Sequence, residues 1–176
     1  MRLLVAAAGL PLLALAAFLV VNALDDDGKT SGGQLTGSSK DAFTLSYPEP
    51  WRPLSQKELD RLPGNPLAVV RREDGKGFVV LRREKRAPKT FGSFSSDLTR
   101  ALDRRVPDFK KQSSRTVRIG AGKAFFYSYI RKRKGTVHTV VIVPAGKRSY
   151  ALNTVSPGGA EDVARQIARI ILSFKV

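Results

Sequence analysis

The sequence predicts an α+β domain built on a mainly antiparallel sheet and preceded by one apolar N-terminal helix. Three observations carry that expectation. Strand-like stretches in the second half follow one another through tight glycine turns, which favours antiparallel pairing. Two later stretches switch to helical period with one apolar face each, and such faces need a sheet to cover. Before them, an uncharged apolar run opens the chain and a polar segment separates it from the rest.

That run, LLVAAAGLPLLALAAFLVVNAL, occupies residues 3–24. As a helix it covers roughly 33 Å, enough for a hydrocarbon core of about 30 Å. Pro11 bends such a helix without disqualifying it. Arg2 precedes the run and Asp25, Asp26 and Asp27 follow it, so the basic side stays in the cytoplasm and the remainder is exported. Residues 1–24 read as a signal anchor or a signal peptide. Val21-Asn22-Ala23 is an acceptable cleavage site, whereas the length of the run favours a retained anchor. The expected location is the cytoplasmic membrane, single-pass with the C-terminal domain outside, or secretion if the signal is cleaved.

Residues 25–41, DDDGKTSGGQLTGSSKD, hold one large apolar side chain, Leu35, and read as a flexible linker reaching about 20–25 Å. Gly37-Ser38-Ser39-Lys40 lacks the GxxxxGK[ST] order of a phosphate loop. Residues 42–176 form the folded domain.

Within it, Phe43, Leu45 and Tyr47 alternate with polar residues as a short strand ended by Pro48 and Pro50. Ser55 and Glu58 make a capping box, stapled by Leu54 and Leu59, for a helix that Pro63-Gly64 stops. Residues 67–72 and 77–82 form a hairpin with Asp74-Gly75 at its tip. Phe91, Phe94, Leu98, Ala101 and Leu102 fall at helical spacing up to Pro107. Strands follow at 115–119, 123–130, 136–143 and 149–155. A final helix after Pro157-Gly158-Gly159 carries Val163, Ile167, Ile170 and Ile171 on one face and Glu161 and Asp162 in its first turn.

The opening Phe43-Thr-Leu-Ser-Tyr-Pro-Glu-Pro-Trp51 resembles the start of PsbP-like domains. The Gly-Lys-Ala-Phe-Phe-Tyr strand at 122–127 and the closing helix that ends in Ser173-Phe174 are similar to that superfamily's C-terminal half. The superfamily includes bacterial envelope proteins and a nuclear-import Ran-binding factor. The resemblance spans about 42–176. It implies an α/β/α sandwich and a binding or assembly role, and it supplies no catalytic residue.

Composition narrows the chemistry. The 42% hydrophobic and 26% charged content is that of a globular chain. With no cysteine there are no disulfides, thiolate metal sites or thiol catalysis, and the single histidine, His138, excludes paired imidazoles. GxSxG, HExxH and GxGxxG are absent. Most carboxylates stand beside Arg or Lys, which keeps them ionised. The sequence therefore points to no enzyme, no cofactor and no metal.

The remaining signal is charge, +16 overall. Setting aside Arg2, Lys29 and Lys40 from the 31 basic residues, and Asp25, Asp26, Asp27 and Asp41 from the 15 acidic ones, leaves the domain at +17. Two clusters are candidate polyanion-binding sites: Arg131, Lys132, Arg133 and Lys134 at an extended hairpin tip, and Arg82, Arg83, Lys85 and Arg86. Expected partners are an anionic lipid surface, a cell-wall polymer or an acidic protein. Nucleic acid is disfavoured by compartment and by the lack of interleaved exposed aromatics. Phe125, Tyr127 and Tyr129 share a strand face beside the tip, as core beneath a helix or as a binding platform. The alternative function is a small-ligand carrier or enzyme accessory protein with a cleft between sheet and helix.

Overall fold

The computed structural model describes residues 32–84 and 88–176. They open with a two-stranded antiparallel ribbon, β1 (Gly32–Thr36) paired with β2 (Thr44–Pro48). The main sheet follows: β3 (Trp51–Pro53), a one-turn helix α1 (Gln56–Leu59), β4 (Ala68–Arg72) and β5 (Phe78–Glu84). Helix α2 (Phe91–Arg105) leads to β6 (Phe109–Ile119), β7 (Gly122–Arg131), β8 (Thr136–Ala145) and β9 (Arg148–Pro157), and α3 (Glu161–Ser173) closes the chain. Spatially the sheet runs β3-β4-β5-β9-β8-β7-β6, with every pairing antiparallel. The expected α+β class and antiparallel sheet are present.

Local signals explain the elements. Ser55 accepts from the Glu58 N–H while the Glu58 carboxylate accepts from the Ser55 N–H, the expected capping box. Thr90 and Ser93 make a second such box at the start of α2. Gly75, at φ +73°, takes the left-handed position of the β4–β5 turn, where Asp74 Oδ1 accepts from the Lys76 N–H. Gly77 is a close approach: a Cβ there would lie 2.8 Å from Val163 and 2.9 Å from Trp51, so its absence lets α3 seat on the sheet.

Successive side chains along each strand alternate between two faces. On one, Val70, Val79, Leu81, Val141 and Leu152, all at 0% exposure, pack against Val163, Ile167, Ile170 and Ile171 of α3, with Phe43, Leu45 and Phe174 sealing the far side. On the other, Phe94 and Leu102 of α2 pack on Phe125, Tyr127 and Ile142. Helix α2 lies over β6 and β7.

Two boundaries differ from expectation. Residues 32–41, expected within the flexible linker, belong to the fold. Ser38 caps a 3-10 turn over Ser39–Asp41, buried Asp41 accepts from Arg83, and the Lys40 carbonyl accepts from Arg148. Such a polar segment cannot order itself, but here β2 supplies a strand to pair with, and the main sheet supplies cations for Asp41 and a core for Leu35. Only residues 25–31 then separate Leu24 from β1, a span of at most about 25 Å when extended. The second difference is β6, which begins at Phe109 rather than 115. Lys110 to Ser114 shows no apolar alternation because β6 is the sheet's edge and is interrupted by a bulge between Lys111 and Ser113. The expected apolar helix over residues 3–24 lies outside the described residues. Among those described, no helix is long and apolar enough to cross a membrane.

Candidate functional site

The register places the two basic clusters apart. Arg82 pairs with Ala151, whereas Arg131 lies beside Thr136, which pairs with Pro157. Six residues of β9 separate these levels, about 20 Å at 3.3 Å per residue. The clusters therefore occupy opposite ends of the sheet and form no single site. Lys85 and Arg86 lie outside the described residues.

Several of the expected site cations are held internally. Arg82 donates from Nη2 to the Pro63 carbonyl at 3.0 Å, and Arg83 is paired with Asp41. The hydrogen bond that Arg83 donates to Asp41 raises the Arg83 pKa. Arg131 is half-buried, and its Nε and Nη2 donate to Asp108 Oδ1 at 3.1 and 2.9 Å. Asp108 Oδ2 accepts from the Arg133 N–H at 3.1 Å, and the Asp108 carbonyl from the Lys132 N–H at 3.0 Å. Hydrogen bonding from Arg131 holds the Asp108 carboxyl below its usual range.

The expected extended, unpacked tip is therefore corrected. Residues Lys132–Lys134 form a 3-10 turn pinned by Asp108, and Gly135 ends it in the left-handed region at φ +60°. Like-charge repulsion would favour extension, but one buried carboxylate satisfies both a guanidinium and a backbone donor. Lys132, Arg133 and Lys134 remain exposed on this fixed turn.

The aromatic strand face divides. Phe125 and Tyr127 are core beneath α2, with Phe94 stacked on Phe125 at 5.9 Å between ring centroids and Tyr127 Oη 2.9 Å from Thr99 Oγ1. Burial raises the Tyr127 pKa. Tyr129 is half-buried and stacks on His138 at 4.9 Å, with 13° between ring planes. His138 Nε2 is 3.0 Å from Thr136 Oγ1. Burial lowers the His138 pKa, and the Arg131 and Lys134 cations lower it further.

A concave feature lies on the same face. Because α2 stands mainly over β6 and β7, Val140 of β8 and Asn153 and Val155 of β9 stay half-buried beside it, whereas Ile142 and Ala151 are buried. A groove of about 820 Å³ opens there, floored by Val140, Ile142, Ala151 and Asn153 and walled by Phe94, Leu98, Asp97 and Ser93 of α2. Glu84, Pro88, Lys89 and Thr90 border one end. Past the other end of the groove lining, the cross-strand row Tyr129–His138–Val155–Phe78 follows on the same face of the sheet, and Phe78 is 39% exposed. This row ends beside the Lys132–Lys134 turn.

Two groups were missed from sequence. Asn153 was legible in principle, since alternation in Tyr150-Ala-Leu-Asn-Thr-Val155 puts it on the face of Ala151 and Val155. Asp108, an isolated acid after Pro107 among basic residues, carried no signal of its distant partners.

No protein-family model and no curated protein matches the sequence. Solved structures do. The solution structure of cyanobacterial PsbP (CyanoP) from Synechocystis sp. PCC 6803 is 13% identical, with 85% of this chain and 95% of that one covered, at a TM-score of 0.58. A point mutant of the protein Mog1 is 12% identical over 82% of this chain and 95% of its own, at a TM-score of 0.54. The chain thus has the PsbP-like fold that its motifs resemble.

Proposed function

From the PsbP-like fold as a frame, we propose that this chain is a membrane-tethered, extracytoplasmic binding domain whose ligand seats in the groove between α2 and the sheet. One observation carries the reading: the α2 face, unlike the α3 face, is left partly uncovered over β8, β9 and β5, producing a largely apolar concavity of ligand size. The Asn153 side chain is a polar group on that apolar floor, able to orient what enters. No catalytic residue belongs to this reading, and the fold itself supplies no activity. The apolar run 3–24 supplies the tether and the outward orientation.

The polyanion reading is supported in a reduced form. Its two clusters do not converge, but Lys132, Arg133 and Lys134 remain a fixed, exposed cationic turn at the end of the apolar row.

Nile red, a neutral apolar dye, tests the groove directly. The full chain in phosphatidylcholine nanodiscs should bind it saturably above the signal of empty discs. Asn153→Trp, which fills the floor, should abolish that excess while leaving the thermal melt intact. Equal dye binding by the folded Asn153→Trp variant would reject the groove as the binding site.

A further inference from the structure

Resting on that groove reading, we propose that the occupant is a single-chain anionic lipid, its acyl chain along the apolar floor and its headgroup at the Lys132–Lys134 turn. The floor has the required shape. Ile142 and Ala151 are buried at the base of the groove. Beyond them the partly exposed positions on this face run Val140–Asn153 and then His138–Val155–Phe78, with Thr136 beyond, while Phe125 and Tyr127 of the same rows are core beneath α2. From Ile142 to Thr136 is six residues of β8, about 20 Å, the scale of one long acyl chain rather than of a compact metabolite.

The charge is asymmetric along this strip. Among the described residues, the end at Glu84 carries Glu84 and Asp97 with Lys89 and Arg82, which pairs with Ala151 and donates to the Pro63 carbonyl, a border of both signs. The opposite end carries three exposed cations, Lys132, Arg133 and Lys134, beside Asp108, which is already engaged by Arg131. Arg131 pairs in register with Thr136, whose Oγ1 lies 3.0 Å from His138 Nε2, so the turn adjoins the Tyr129–His138 row. Asp108 fixes the turn through Arg133 N–H and Arg131, so the cations are held in place before a ligand arrives. A neutral apolar ligand would leave these charges unused, and a polyanion without a chain would leave the groove unused.

The segment 25–31, at most about 25 Å long, keeps the domain within one domain diameter of the bilayer surface where such lipids reside.

The chain has no cysteine, so a fluorophore on Val155→Cys reports from the middle of the strip alone. The full chain, so labelled and held in phosphatidylcholine nanodiscs, would be titrated with oleate, with oleyl alcohol and with inorganic phosphate. Oleate should shift the label's emission saturably, oleyl alcohol should bind about tenfold or more weakly, and phosphate should give no shift. Replacing Lys132, Arg133 and Lys134 by Gln should weaken oleate by about tenfold or more at low salt without affecting the alcohol. Equal affinity for oleate and oleyl alcohol, unchanged by the Gln variant, would overturn the anionic-lipid proposal and leave the groove standing. A shift with phosphate alone would overturn it in favour of a bare anion site. No shift with any amphiphile, in a variant whose melt matches that of the unlabelled chain, would reject the groove itself.

Discussion

The two faces of the sheet are covered by helices of similar length yet differ in kind. Helix α3 lies across the centre of its face, and Ile170, Val163 and the strand residues beneath it have 0–1% exposure. Helix α2 sits to one side, over β6 and β7, and the neighbouring positions Val140, Asn153 and Val155 stay half-buried. The contrast separates a sealed face from one that keeps half-buried positions beside its helix.

The largest test of that division is a pair of truncations. Ile170→Ala should destabilise the fold by about 2–5 kcal/mol in urea unfolding, because it opens a cavity in a sealed core. Leu98→Ala, on the groove wall, should cost about 1 kcal/mol or less, since water already reaches the site. Equal costs would erase the distinction between the faces.

Next comes Asp108→Asn, which removes the carboxylate holding both Arg131 and the Arg133 N–H. It should lower the melting temperature, raise the mobility of the 132–134 turn in hydrogen exchange and leave α3-face amides unchanged. The pH dependence has a fixed sign. Because Arg131 depresses the folded Asp108 pKa below the usual 3.8, the stabilisation is complete above that value and is lost as pH falls through the lower folded one. His138 acts at higher pH in the same direction. Its folded pKa is lowered from 6.5, so the unfolded chain takes up the proton first and stability declines as pH drops below about 6.5. His138→Gln should flatten that upper part of a melting-temperature profile, whereas Asp108→Asn should flatten only the acid end.

A smaller effect is expected from Tyr127→Phe, which deletes the hydrogen bond to Thr99 beneath α2. It should cost about 0.5–1.5 kcal/mol. The smallest is expected at the turn: Lys132→Ser, Arg133→Ser and Lys134→Ser should each change stability by no more than about 0.5 kcal/mol, as exposed substitutions do. A larger loss would mean that these cations support the fold rather than serve a ligand.

The same contrast governs how much was legible in the sequence. Elements with strong period or turn chemistry, such as the Ser55–Glu58 cap, the Asp74-Gly75 hairpin and the apolar stripe of α3, stood where their residues indicated. What failed were features fixed by distant partners. Residues 32–41 looked like a linker because local composition cannot show that β2 and Arg83 are waiting for them. The Arg131–Lys134 tip looked extended because repulsion is local, whereas the Asp108 carboxylate that overrides it comes from 23 residues away. The amphipathic pattern of α2 showed that it covers a sheet but not which strands, and the groove exists only because of that lateral placement.

Val140 and Val141 are neighbours on β8 that face opposite sides, one into the groove and one, at 0% exposure, beneath α3. Thiol-labelling rates of Val140→Cys and Val141→Cys in the full chain therefore test the open-face claim most directly. Val140→Cys should react readily and be slowed by oleate, while Val141→Cys should be protected with or without it. Equal protection of the two, or oleate slowing neither, would contradict a ligand-binding face beneath α2.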